Sequence, residues 1–120
     1  MNKIKSIFET KKRKVFIAYI VCGDPDIKTT LALMKVLAES GVDIIELGMP
    51  FTDPIADGPV IQKSVERSLM NNTSLKDVFS TVDLFKKTYP DVPVVLMGYL
   101  NPIENSTLIH LAENNNAAEA

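Results

Sequence analysis

Three apolar, strand-like runs separated by amphipathic stretches predict an α/β protein on a parallel sheet, and the acids placed at the ends of those runs predict a barrel. The runs are Val15-Phe16-Ile17-Ala18-Tyr19-Ile20-Val21, Val42-Asp43-Ile44-Ile45-Glu46-Leu47-Gly48 and Val92-Pro93-Val94-Val95-Leu96-Met97-Gly98-Tyr99. Their richness in β-branched and aromatic residues is that of strands buried on both faces. About a dozen or more residues part the first two runs, which suits a crossover rather than a hairpin, so the strands should be parallel. The segment after the first run, Val21-Cys22-Gly23-Asp24-Pro25-Asp26, carries one glycine. The Gly-x-Gly-x-x-Gly fingerprint of a doubly wound dinucleotide-binding sheet is therefore missing. Asp24, Glu46, Asp57 and Asn101 all fall at or beyond the C-terminal ends of strands, where barrels of eight βα units collect their active-site groups. The expected fold is the first three βα units of a (β/α)8 TIM barrel, one domain over residues 1–120 with a polar low-complexity tail over 112–120.

Each element has its own warrant. Ile4, Ile7 and Phe8 lie at helical spacing and lack the continuous apolar core of a signal peptide. The basic cluster Lys11-Lys12-Arg13-Lys14 reads as a solvated helix end feeding the first strand. That strand, residues 15–21, is apolar enough to be central. Asp24 and Asp26 flank Pro25 and are assigned to loop geometry, a turn with an Asx-type cap. A helix is predicted from Lys28 to Ser40, with Leu31, Leu33, Met34, Leu37 and Ala38 on its apolar side and Ser40-Gly41 as its stop. Gly58-Pro59 opens the next helix, because proline is tolerated in a first turn; Val60, Ile61, Val65, Ser68 and Leu69 trace its inner face as far as Asn71-Asn72. Thr73-Ser74 can cap a further helix striped by Leu75, Val78, Phe79, Val82, Leu84 and Phe85, with Lys86-Lys87 near its C-terminal end. Tyr89-Pro90-Asp91 breaks it, and Pro93 is confined to the opening of the third strand.

Composition narrows the function. With 46% apolar and 23% charged residues the chain can build a core. A net charge of -2 from 13 basic and 15 acidic residues, spread along the sequence, leaves no electrostatic footprint for nucleic acid. No stretch approaches the roughly 18 apolar residues that a membrane-spanning helix requires. The single cysteine, Cys22, excludes an intramolecular disulfide framework and suits a reducing, cytoplasmic compartment.

The chemistry concentrates in Glu46-Leu47-Gly48-Met49-Pro50-Phe51-Thr52-Asp53-Pro54-Ile55-Ala56-Asp57-Gly58, a strand end and a stiffened loop that deliver two carboxylates. Glu46 is the odd residue on an apolar strand, where desolvation would suit it to general acid/base work; the alternative is a carboxylate that merely meets solvent. Asp57 precedes a helix start and could be a simple cap. Paired with Glu46, it could instead accept a hydrogen bond from a substrate N–H and stabilise developing positive charge. Cys22 reads as a small buried thiol rather than a nucleophile. His110 has no nucleophile or second ligand placed to meet it. Tyr19 and Tyr99 lie near strand ends and could wall an aromatic pocket.

The run from Glu46 to Gln62 closely resembles the signature of the tryptophan synthase alpha chain family. Gly23-Asp24-Pro25 and Leu96-Met97-Gly98-Tyr99-Leu100-Asn101-Pro102 stand in family order and spacing, so that the likeness covers residues 1–103. The resemblance implies retro-aldol cleavage of indole-3-glycerol phosphate to indole and glyceraldehyde 3-phosphate, with no metal or organic cofactor for that step. It assigns Glu46 as general acid/base and Asp57 as the partner of the indole N–H, with Tyr19 and Tyr99 in the indole pocket. Pro50, Asp53 and Pro54 would meet the beta chain, which carries pyridoxal phosphate, in an alpha2beta2 complex. A complete barrel takes about 250 residues and places its phosphate site after strands seven and eight. The 120 residues alone are therefore expected to be weakly active or inactive. A second reading keeps the loop around Asp53 and Pro54 as a noncatalytic module that binds a beta-type partner.

Overall fold

Capping chemistry fixes where the helices start and stop in the computed structural model, which describes residues 2–51 and 57–98. Helix α1 (Lys3–Thr10) begins at Asn2, whose Oδ1 accepts from the Ile4 and Lys5 amides at 2.9 and 3.2 Å. Strand β1 (Ile17–Val21) leads through a turn with a cis Asp24-Pro25 peptide into α2 (Ile27–Glu39), capped by Asp26 through a 2.6 Å bond from the Thr29 amide. That bond holds the Asp26 carboxyl below the usual carboxylate range. At the far end of α2, Gly41 takes φ +96°. The Gly41 amide donates to Ala38 O and the Val42 amide to Leu37 O, the paired bonds of a Schellman stop.

Strand β2 (Ile44–Gly48) precedes α3 (Pro59–Met70), which has Gly58 as its N-cap and proline in its first turn. Helix α4 (Leu75–Thr88) opens with a capping box between Ser74 and Asp77 and leads to β3 (Val94–Met97). The strands form a parallel sheet in the order β1-β2-β3. The register sets Ile17 beside Ile44, Tyr19 beside Glu46, and Glu46 beside Val95.

Alternation along the strands makes two unlike faces. Ala18, Ile20, Ile45, Leu47 and Val94 join Met34 of α2 and Val78, Val82 and Phe85 of α4 in one hydrophobic core. Ile45, Leu47 and Phe85 are fully buried there. The opposite face carries Ile17, Tyr19, Val21, Ile44, Glu46 and Met97; Val21 and Ile44 are buried, whereas Ile17 and Met97 remain 47% and 50% exposed.

Three expectations need correction. The first strand starts at Ile17 rather than Val15 and is an edge among the described residues, with β2 central; only Val21 of its five residues is buried, so an apolar run did not bring burial on both faces. Val60 is 77% exposed, so it is no part of the inner face of α3. The basic cluster is not a merely solvated end: Arg13 donates both Nη atoms to Asp43 at 3.0 Å and Lys11 Nζ lies 3.2 Å from the same carboxylate. Asp43 also accepts from the Phe16 amide at 2.8 Å. That amide, followed by Arg13 and Lys11, holds its carboxyl below the usual range. Just before Ile17, the Phe16 amide serves this buried acid while its carbonyl accepts from the Asp43 and Ile44 amides.

The sign of the pH dependence follows. An unfolded aspartate ionises near pH 4, whereas folded Asp43 does so lower, so its contribution is complete above about pH 4 and is lost as pH falls through the folded value. Asp43→Asn is expected to lower stability at neutral pH by about 2 kcal/mol and to flatten the acid limb, as read from urea midpoints across pH 3–7.

Candidate active site

Glu46 sits between Ile45 and Leu47, both sealed into the helix-facing core, so strand geometry turns its side chain to the open face. It is half-buried, the least enclosed residue of β2. Its registered neighbour Tyr19 shares that face, so the structure brings together two of the residues singled out from the sequence. Gly48 makes room for the Tyr19 ring. A Cβ there would collide with the Tyr19 hydroxyl and stand 3.0 Å from Cζ, so the ring lies over the glycine. A cavity of about 190 Å³ adjoins the unpaired edge of β1, lined by Tyr19, Val21, Asp24, Leu33, Ile61 and Ser64 among others.

Asp57 reaches the same end of the sheet by another route. The N-cap of α3 is Gly58, with no side-chain cap bond, so the simple capping role is not the one Asp57 fills. Its carbonyl accepts from Gln62 Nε2 at 2.7 Å, which ties its main chain to the first turns of α3. The helix in turn docks on the turn after β1 through Ser64, Arg67, Ser68 and Asn71. Arg67 Nε and Nη2 donate to the two carboxylate oxygens of Asp24 at 2.6 and 3.0 Å, and Ser64 Oγ donates to Asp24 as well. Ser68 Oγ donates to Cys22 O at 2.6 Å, and Asn71 Nδ2 donates to Pro25 O.

Asp24 is therefore more than loop geometry. The Arg67 guanidinium, helped by Ser64, holds its carboxyl below the usual range. Sequence reasoning missed this face because it sought apolar periodicity. The signal was present in polar form, Ser64, Arg67, Ser68 and Asn71 standing three, four and seven residues apart, the spacing of one helix side. Gly23 completes the seam: at φ +89° it lies so close to Thr73 and Ser68 that a Cβ would meet Ser68 Oγ at 2.5 Å.

Burial pushes the Cys22 thiol up to about 12, in keeping with an inert core residue. Pro50 is buried at the root of the loop after β2. Asp53, Pro54, Tyr99, Asn101 and His110 lie outside the described residues. Among the described residues no group of three or more metal-ligating side chains comes together, and no helix is long and apolar enough to cross a membrane.

Gly48→Ala is expected to displace the Tyr19 ring and cost about 1–3 kcal/mol, as overpacking does. Adding Tyr19→Phe, which removes the colliding hydroxyl, should recover much of that loss in the denaturation midpoint.

The arrangement of a strand-borne glutamate, a helix-entry aspartate and a docked α3 can be set against known proteins. The family model for the tryptophan synthase alpha chain matches residues 6–119. A tryptophan synthase alpha chain from Nitrosomonas europaea is 57% identical over 107 residues, which is 87% of this chain and 39% of the relative. The crystal structure of tryptophan synthase subunit alpha from Legionella pneumophila superposes with a TM-score of 0.92 at 43% identity, over 99% of this chain and 47% of that one. A tryptophan synthase complex from Pyrococcus furiosus gives 0.78 at 41% identity, over 86% of this chain and 42% of that one. The chain thus spans less than half the length of these relatives, and its parallel strands and helices are the opening units of their (β/α)8 barrel. The acids at the strand ends and these likenesses lead to one conclusion: the chain belongs to the tryptophan synthase alpha chain family.

Proposed function

We propose that the chain carries the acid/base end of a lyase site that cleaves indole-3-glycerol phosphate to indole and glyceraldehyde 3-phosphate. The observation that supports this most directly is Glu46, turned onto the open face beside Tyr19 while its two chain neighbours are sealed in the core. In this reading Glu46 protonates the indole ring carbon and helps to remove the proton of the glycerol hydroxyl, so that the carbon–carbon bond breaks with its electrons passing to the ring. Asp57 accepts the indole N–H and favours the protonated ring as leaving group. Tyr19 and Tyr99 flank the indole. The acids act within one cooperative barrel of eight units, of which the described residues provide three strands. The whole is one domain whose N-terminal part is this chain.

The partner in this proposal is a tryptophan synthase beta chain with its pyridoxal phosphate, met through the loop of Pro50, Asp53 and Pro54 in an alpha2beta2 assembly in the cytoplasm. A solved relative from Pyrococcus furiosus is described as a tryptophan synthase complex, which supports a complex in this family.

The test completes the barrel by joining this chain to strands four to eight of the Nitrosomonas europaea relative, and follows indole release. Glu46→Gln is expected to lower kcat by about 10²–10⁴ and Asp57→Asn by about 10² or more, with beta-chain binding retained. Undiminished indole release by Glu46→Gln would refute the assignment. A completed barrel that binds the beta chain but never releases indole, with either residue at position 46, would favour the noncatalytic module. The 120 residues alone are expected to show weak or no turnover.

A further inference from the structure

Asp57 and Glu46 reach the same end of the sheet from different supports, and both supports refer to β1. Glu46 is held by the β1–β2 ladder, in which Tyr19 is its registered neighbour. Asp57 is held by α3, to which Gln62 ties its carbonyl, and α3 is anchored to the turn that closes β1. Other support for the N-terminal half of that helix is modest, with Ile61 half-buried at the cavity beside Tyr19 and Val21. Gly58 supplies no side-chain cap and Val60 is 77% exposed, while the fully enclosed residues Val65 and Ser68 lie further along. The Asp24–Arg67 fork is the charged, bidentate member of the anchor, and two parallel bonds fix direction as well as distance.

We propose that Asp24 and Arg67 are positioning residues for Asp57, holding α3 on the β1 turn so that the Asp57 carboxylate meets the same substrate as Glu46. The proposal rests on the lyase reading above. With the Arg67 side chain 53% exposed, the pair adds little to global stability. What it supplies is placement. A helix of 12 residues is stiff enough to carry a shift at Arg67 back to its first turn, and a misplacement of about 1 Å can cost on the order of 10² in rate. Arg67 acts through Asp57 and does not itself touch substrate.

The test uses a thermodynamic cycle in the completed barrel. Arg67→Ala is expected to lower kcat for indole release by about tenfold to 10² with KM little changed. In an Asp57→Asn background the same substitution should change kcat by less than about twofold, because the residue through which it acts is already disabled. Arg67→Lys, which keeps the charge without the fork, should recover only part of the loss. Equal losses in both backgrounds, or no loss in either, would overturn the positioning role.

Amide exchange on the same proteins separates this outcome from failure of the lyase reading. The Gln62 amide, which donates to Gly58 O at 2.9 Å, should exchange at least about tenfold faster in Arg67→Ala, while the β2 amides Ile45 and Leu47 keep their protection. Unchanged exchange at Gln62 sinks the proposal whatever the activity. Unaltered activity of Asp57→Asn, with α3 loosened by Arg67→Ala, sinks the lyase reading instead. Should Arg67→Ala fold poorly, Ser64→Ala removes a neutral bond to the same carboxylate and is expected to show the same pattern more weakly.

Discussion

The burial of Ile45 and Leu47 on the helix-facing side of β2, which leaves Glu46 as its one half-buried residue, is the constraint from which the rest of the structure follows. Ile45 and Leu47 are completely buried against α2 and α4, and burying such side chains is worth about 1.5–3 kcal/mol each. A slip of one residue would exchange the faces, putting Glu46 into the apolar core and both aliphatic side chains outside. Register is therefore enforced by the core, and the position of the glutamate is a by-product of where its neighbours must go. Tyr19 follows from the same register, and Gly48 from the ring that must lie above it.

Charge is used differently at the two ends of the sheet. Asp43, just before β2, is nearly enclosed and takes Arg13, Lys11 and a main-chain amide, so every lone pair that burial strips of water finds a donor. Its work is to fasten the segment before β1 to the start of β2. Asp24, just after β1 and less enclosed than Asp43, takes its arginine from a helix that follows β2. In barrels the N-terminal end of the strands serves stability and the C-terminal end serves chemistry; Asp43 stands at the first of these ends and Asp24 at the second.

Helix α3 departs from the pattern of α2 and α4, and the reason is where it sits. Helices lying on the sheet face bury an apolar stripe, as α4 does with Val78, Phe79, Val82 and Phe85. Helix α3 lies across the turn after β1, where the buried main-chain carbonyl of Cys22 needs a donor and that of Pro25 receives one at the surface. A polar stripe answers that need, because a buried carbonyl without a partner is costly. Directional bonds also fix the helix more closely than apolar contact would, which suits an element that carries Asp57.

Sequence alone was enough to determine the elements and their parallel pairing, and to single out Glu46 on its strand. Local rules govern these features: apolar periodicity, the Asp26 and Ser74 caps, the Gly41 stop, and a glutamate out of place on an apolar strand. Tertiary structure decided what joins residues far apart in the chain. It made β1 an edge among the described residues, drew Arg13 and Lys11 onto Asp43, set Tyr19 over Gly48 and gave Asp24 to Arg67. None of these follows from periodicity, because a polar residue is matched to its partner by geometry across tens of residues, and that geometry exists only once the sheet and helices have packed.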